Sequence, residues 1–395
     1  MRIAFHAPLK PPDHPVPSGD RRVARLFLAA LREAGHAATV ASRLRSWDDA
    51  SVPGRQARLA ALGDRLGDRL LRRWQARPAE RPALWFTYHL YHKAPDLIGP
   101  RVAAALDIPY VVAEASYAPK RRTGPWADGF ARAEAALAQA DAVIALTSVD
   151  AEGLAPVVPA GRLHRLPPFL DVGPYVAAAG RRGAVRPRLF RGDPGPWLLA
   201  VGMMRPGDKD RSYAVLAAAL ARLGDRPWRL AVVGDGSERD AVLGRFDPAR
   251  VVWFGARPTA DLAELYAAAD LYVWPAVNEA YGMAVLEAQA TGLPVVAGAV
   301  GGVPDIVADG VTGLLVPPLD PARFAEAVRL LLADPGRRAE MAEAALRTVA
   351  WEHGFPRAVE TLDAILRRAA AQRRRPGRPA GGATPSDPPT GTDRP

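Results

Sequence analysis

Residues 278–317 read NEAYGMAVLEAQATGLPVVAGAVGGVPDIVADGVTGLLVP. An apolar run ends just before them at Trp274-Pro275, and the spacing beyond predicts a helix over 282–291, then strands over 294–297 and 313–316. Strand, short loop, helix and strand form the unit of a parallel sheet with crossover helices. The first amides of such a helix lack intrahelical partners and stand at the positive end of its dipole, so the turn Ala280-Tyr281-Gly282-Met283 makes an anion site. Glycine at 282 lets a phosphate approach closely. Glu279 precedes this turn and Glu287 lies eight residues on, about two helical turns away. One carboxylate can therefore bind hydroxyls at one end of a diphosphate while the other binds hydroxyls at the opposite end. A nucleotide sugar has that layout: ribose, diphosphate, hexose. Two glutamates at this spacing would, alone, read as surface carboxylates. The Gly-rich return Gly301-Gly302-Val303-Pro304 gives every part of the stretch a mechanical role.

The same alternation extends in both directions. Strands are predicted over 197–201, 229–233, 251–254 and 271–274, with helices over 212–223, 259–268 and 321–333. Toward the N-terminus, strands over 2–7, 38–41, 83–88, 110–115 and 142–146 alternate with helices over 21–34, 100–106, 127–140 and 149–154. Between the two series the chain is rich in Pro, Gly and Arg without periodicity and reads as a linker. The expectation is an α/β chain of two Rossmann-like, doubly wound domains facing a cleft. They cover 1–172 and 197–350, joined by a linker over 173–196. A helix over 351–369 and a disordered basic tail over 370–395 complete the chain.

Composition limits what such a chain can be. Its 395 residues are 49% hydrophobic and 24% charged, enough apolar content to exclude a wholly disordered protein. No apolar run approaches the ~18 residues of a spanning helix. The opening MRIAFHAPLKPP is too short in apolar residues for a signal peptide. Cysteine is absent, which removes disulfides, thiolate catalysis and Cys-ligated metals together. A cytoplasmic protein is the expectation, at most peripheral to the inner face of a membrane. Half of the formal net charge of +10 sits in residues 367–395, a solvated basic terminus rather than a nucleic-acid arm. Residues 55–77 place Leu59, Leu62, Leu66, Leu70 and Trp74 on one helical face with Arg58, Arg65, Arg69 and Arg72 beside them. That pattern fits ordinary packing or contact with an anionic membrane. Only four lysines occur, Lys10, Lys93, Lys120 and Lys209, each a few residues after a candidate strand, where ligand loops lie in open α/β sheets.

Residues 278–317 resemble the donor-binding segment of retaining GT-B glycosyltransferases, family 4 type, whose hallmark is two glutamates separated by seven residues. The resemblance runs through nearly the whole chain to about residue 368, most strongly in the second half. It implies that Glu279 contacts the donor sugar and Glu287 the ribose. The family places an Arg and a Lys after the first strand of the second domain, against the diphosphate. Here VGMMRPGDK (201–209) supplies Lys209; Met203 follows Gly202 where Arg is usual, and Arg205 is the substitute cation. Cations belong there because the leaving diphosphate gathers charge in the transition state. The resemblance further marks Gly234 in the next glycine turn and Arg257 in VVWFGAR (251–257), the segment whose backbone meets the base.

The first domain departs from the family pattern. The glycine pair of its first loop is Ser18-Gly19-Asp20, with only Gly19 kept. Where a histidine often follows the strand over 110–113, this chain has Glu114-Ala115-Ser116. His89, in TYHLYHK (87–93), is the replacement the resemblance suggests, with Glu114 and Ser116 as polar contacts on the acceptor side. Lys93 and Lys120, with Arg121 and Arg122, make that side positive and point to an anionic acceptor. The resemblance thus implies a hexose transfer with retention, from a nucleotide sugar to a glycan or lipid-linked acceptor. Glu279, Lys209, Arg205 and His89 are the expected catalytic group. No metal or other cofactor is expected, since the donor segment contains no Asp-x-Asp and Arg and Lys can supply the charge. A different nucleotide-sugar enzyme on the same fold, or a nucleotide-sugar binder without turnover, remains open at this stage.

Overall fold

Apolar runs buried on both faces, such as LWFTYHL and VVAG, form the middle of two six-stranded sheets in which every pairing is parallel. A computed structural model describes residues 1–16 and 18–373; the tail expected over 370–395 lies outside the described residues from 374 onward. The first sheet comprises β1 (Arg2–His6), β2 (Ala37–Ser42), β3 (Leu84–Leu90), β4 (Tyr110–Ala115), β5 (Ala142–Ala145) and β6 (Leu163–Arg165). Between them run α1 (Gly19–Glu33), α2 (Arg55–Ala76), α3 (Gly99–Ala105), α4 (Ala127–Gln139) and α5 (Ser148–Leu154). Two short helices, α6 (Gly173–Ala179) and α7 (Arg182–Leu189), lead to the second sheet. Its strands are β7 (Trp197–Val201), β8 (Arg229–Val233), β9 (Val251–Trp253), β10 (Leu271–Trp274), β11 (Val295–Gly298) and β12 (Gly313–Val316). The helices of this half are α8 (Asp208–Ala221), α9 (Arg239–Leu243), α10 (Thr259–Ala268), α11 (Met283–Ala290), α12 (Pro321–Ala333), α13 (Pro335–Glu352) and α14 (Phe355–Arg373).

Strand order is what positions the site. The sheets run β2-β1-β3-β4-β5-β6 and β12-β11-β10-β7-β8-β9, so the winding reverses between β1 and β3 and between β7 and β10. Crevices open at the carboxyl ends of strands where the winding reverses. Gly19 and Lys209 stand in the first turns of the helices that follow β1 and β7, His89 in the last residues of β3, and Glu279 in the loop leaving β10.

Several local readings change. Helix α1 begins at Gly19 rather than 21, because the Ser18 hydroxyl accepts from the Arg21 amide at 3.2 Å and caps it; Gly19 and Asp20 are helical, not loop residues. Helix α8 begins at Asp208, four residues before the expected start, as Asp208 and Asp210 suit the positive end of its dipole. Lys209 therefore stands in a helical first turn. The expected linker over 173–196 folds into α6 and α7 against α10. Tyr175, Val185 and Phe190 enter the second core there, with Phe190 stacked on Trp197 at 4.0 Å. Helix α13 was not foreseen, although Asp334 caps it and Pro335 opens it. Short β6 and α9 also carried too little periodicity to predict.

Helix α14 crosses to the first half, burying Ala358, Leu362, Ile365 and Leu366 in the core that contains Phe27 and Phe86. Arg373 anchors its end on Asp107 and Asp141 at 3.0 and 3.1 Å. On α2, Trp74 is buried and Leu66 and Leu70 pack on the core beneath α3, so the apolar stripe faces protein. Arg58, Arg65, Arg69 and Arg72 face outward. Among the described residues no helix is long and apolar enough to cross a membrane.

Candidate active site

The loop from β10 to α11 is held in a conformation its residues resist. Ala276, Asn278 and Gly282 all have positive φ, of 56°, 53° and 78°; only the glycine adopts this without strain. The start of α8 braces the loop: Ser212 Oγ accepts from the Val277 amide at 3.0 Å and Asn278 donates to Asp208 at 2.8 Å. Glu279 is thereby set beside Lys209, which donates to its Oε2, and the Trp274 indole donates to the same oxygen at 3.2 Å. Lys209 also lies over the Trp274 ring, 5.3 Å from its centroid. The triplet Asp208-Lys209-Asp210 has Asp-x-Asp spacing, yet its carboxylates are committed to Asn278, Arg211 and Arg245. Glu287 lies on α11, where its Oε1 accepts from Arg22 of α1 and its Oε2 from the Tyr266 hydroxyl at 3.0 Å.

Across the cleft, the carboxyl ends of β3 and β4 carry a second strained pair. Tyr88 is in register with Ala113 and Leu90 with Ala115, so His89 and Glu114 are cross-strand neighbours. Both have positive φ, 65° and 57°, inside strands. Such backbone costs roughly 1–3 kcal/mol at each residue and persists at functional sites. His89 thus lies within β3, not beyond it as the sequence suggested. Its Nδ1 is 3.3 Å from both Asp20 and Glu114. The buried Glu114 carboxyl lies against the hydroxyls of Tyr88 and Tyr281, the latter from the β10–α11 turn of the other half. Burial alone would push the His89 imidazole down; Glu114, Asp20 and Asp150 outweigh it, and its pKa is raised. Glu114 is pushed up by burial, against the pull of His89 and the two tyrosines.

A titration checks this arrangement. In imidazole NMR, His89 is expected to titrate above the ordinary value of ~6.5, and Glu114→Gln should bring its midpoint down. A raised folded pKa means the stabilisation is complete below the unfolded value and is lost as pH rises through the folded one. Unfolding temperature should therefore fall at alkaline pH in the wild type and less so in Glu114→Gln.

The residues named from sequence divide. Glu279, Lys209, Glu287, the turn over 280–283, Gly19, His89 and Glu114 converge where the two sheets' carboxyl ends meet. Gly202 and Gly234 back onto each other behind Lys209: a Cβ on Gly234 would lie 1.9 Å from the Gly202 carbonyl oxygen. Arg205 is exposed in the loop before α8, near enough to Lys10 to lower its pKa. Arg257 turns onto its own loop, donating to the Phe254 carbonyl at 2.7 Å. Ser116 and Lys120 are exposed, and Lys93 covers Trp126 at 4.6 Å together with Arg121 at 4.8 Å.

Three residues escaped the sequence reading, and Lys10, marked there only by the scarcity of lysine, joins them. Asp20 completes the His89 pair, while Arg22 and Tyr266 complete Glu287. Lys10 sits in the loop after β1, where burial lowers its pKa and Arg45, Arg21 and Arg205 lower it further, against the opposing pull of Asp20. The scarcity of lysine was a usable signal for Lys10; nothing distinguished Arg22 among so many arginines.

The halves are also tied at one side. Asp305, in the Gly-rich return, accepts from the Ser148 amide at 2.8 Å and from Arg165 at 2.8 Å, capping α5 of the first half.

Comparison with known proteins gives the family and the fold. Residues 195–334 match the family described as glycosyl transferases group 1. The D-inositol 3-phosphate glycosyltransferase of Xylanimonas cellulosilytica is 35% identical over 262 residues, 62% of this chain and 60% of that protein. The chain thus spans less than two thirds of that relative's length. D-inositol 3-phosphate glycosyltransferase 1 of Catenulispora acidiphila is 32% identical over 324 residues, 76% of each chain. Among solved structures, sucrose-phosphate synthase from Thermosynechococcus elongatus superposes with a TM-score of 0.73 at 24% identity, covering 94% of this chain and all (100%) of that one. HepE of Anabaena, solved with UDP, gives 0.72 at 18% identity, covering 93% and 100%. With its two doubly wound halves meeting at the strained turn between β10 and α11, the chain has the GT-B fold and belongs to the group 1 glycosyl transferases.

Proposed function

We propose that this protein moves a hexose, with retention, from a nucleoside diphosphate sugar to a hydroxyl of an anionic acceptor. The observation that carries the reading is the placement of Glu279 and Lys209 as one pair beside the N-terminus of α11, with Glu287 on the same helix, at the reversal point of the second sheet. In this reading the α11 amides and Lys209 receive the diphosphate, Glu287 the ribose and Glu279 the hexose. Lys209 and Arg205 supply the positive charge against the departing diphosphate, so no metal is called for. The acceptor hydroxyl approaches from the side of His89 and Glu114, and the departing diphosphate takes its proton. No side-chain base is then required.

The acceptor's charge is inferred from the first half. Lys10 is surrounded by Arg45, Arg21 and Arg205, each of which depresses its pKa, and Asp20 is the acid that opposes them. Mutually repelling cations gathered at a cleft imply an anionic partner. Inositol 3-phosphate, the substrate in the relatives' name, and a lipid-linked diphosphate sugar both carry such a group. The second would place the protein in glycolipid or polysaccharide assembly at the inner membrane face, where the outward arginines of α2 favour anionic lipid.

The test is an assay in the presence of EDTA. It offers UDP-glucose, UDP-N-acetylglucosamine and GDP-mannose with inositol, inositol 3-phosphate or a lipid-linked diphosphate sugar. NMR of the product reads the anomeric configuration. A phosphorylated acceptor should be used at least tenfold better than its neutral counterpart, and Lys10→Ala should erase most of that preference, a loss of ~1 kcal/mol or more. Inverted product, an isomerised donor or equal use of neutral acceptors would refute the corresponding part of the reading.

A further inference from the structure

Glu287 is the more buried of the two donor-segment glutamates, its side chain 3% exposed against 18% for Glu279. A buried carboxylate is costly unless both oxygens find donors. Here one is supplied by Tyr266 of the same half and the other by Arg22 of the opposite half. The Nη2 of Arg22 also donates to the Tyr175 hydroxyl at 2.7 Å. One guanidinium therefore fastens α1 of the first half to α6 and to α11.

We propose that Arg22 is a latch on Glu287: a ribose diol gains this carboxylate only by displacing the guanidinium, so that nucleotide binding and release of α1 from α11 are one event. The proposal rests on the reading of Glu287 as the ribose ligand. A vicinal diol presents two O–H donors and can replace an N–H donor at the carboxylate, though a neutral donor is weaker than a charged one. The difference is subtracted from the affinity the nucleotide would otherwise show, just as a fractionally populated competent state raises an apparent Kd. Displacement strands no buried charge on the arginine side, because the Arg22 side chain is already 31% exposed. Tyr266 remains on the second oxygen throughout, which keeps Glu287 oriented for the incoming diol.

The latch makes a nucleotide bind more tightly when an arginine near the site is removed, opposite in sign to the loss of a phosphate-binding cation. Calorimetric titration of the full chain with UDP, GDP and ADP identifies the tightest binder. That nucleotide and its 2′,3′-dideoxy form are then titrated into wild type, Arg22→Gln, Tyr175→Phe and Glu287→Gln. Arg22→Gln should tighten the ribonucleotide roughly tenfold, the scale of one partly exposed charge-assisted hydrogen bond. Tyr175→Phe, which loosens the guanidinium without touching Glu287, should tighten it by a smaller factor. The dideoxy form, which cannot use Glu287, should be indifferent to Arg22→Gln. Unchanged or weaker binding in Arg22→Gln, or equal tightening of the dideoxy form, overturns the latch. If Glu287→Gln weakens the ribonucleotide at the same time, the ribose reading stands without it. If Glu287→Gln has no effect, or if no nucleotide binds at millimolar concentration, both fall together.

Discussion

Glu279→Ala and Lys209→Ala are each expected to lower kcat/KM for transfer by ~10²–10³, the range found when one preorganised group facing developing charge is removed. The size follows from how little else is available. Glu279 Oε2 has two partners, Lys209 and the Trp274 indole at 3.2 Å, and Lys209 has no other acid at hydrogen-bond distance among the described residues. Removing the lysine leaves the carboxylate held by an indole and takes away the cation that the proposed function sets against the diphosphate. Removing the glutamate leaves the lysine free to turn from its seat over Trp274. The two act as a unit, so the double variant should lose about as much as the worse single variant. Both side chains are partly exposed, and unfolding temperatures should stay near that of wild type. Steady-state kinetics with the preferred donor and thermal unfolding of all three variants check this. Additive losses would show two independent roles, and retained activity in Glu279→Ala would remove this residue from the chemistry.

The sequence disclosed most where a pattern is local. Buried parallel strands announce themselves as apolar runs, and β7, β8 and β10 fall at their expected bounds because each is flanked by a turn signal. The turn between β10 and α11 was legible for a related reason: Glu279, Gly282 and Glu287 lie within one strand–loop–helix unit, and their spacing fixes their geometry. What was not legible depends on residues distant in the chain. The partner of Glu287 is Arg22, 265 positions away, and its selection depends on how the two halves meet. His89 and Glu114 likewise become neighbours only because β3 and β4 pair in one register. Seen alone, TYHLYHK is a strand followed by a loop, and nothing in it announces a positive φ. The segment over 173–196 failed differently. Its helices are short and take their stability from α10, so neither periodicity nor propensity marked them.

Gly301→Ala should abolish donor binding and lower stability by about 2–5 kcal/mol, the sum of a left-handed backbone forced on alanine and overpacking against main chain. Gly301 has φ +57°, and a Cβ there would lie 1.8 Å from the carbonyl oxygen of Glu279. That atom belongs to the backbone of the donor turn and cannot rotate away as a side chain could. The return after β11 is pressed on this turn, with the Gly302 amide donating to the Ala280 carbonyl at 3.0 Å. Relief of the clash must therefore shift Glu279 itself, and a misplacement of about 1 Å at a reacting centre costs ~10²-fold in rate. Gly310→Ala is the matched control. Gly310 has φ +76° but no atom within 4 Å of its Cβ position, so alanine there meets only the backbone penalty, roughly 1–2 kcal/mol. Nucleotide titration and thermal unfolding of both variants separate the two causes. If they lose stability equally and both retain nucleotide binding, the close approach of the return does not hold Glu279 in place.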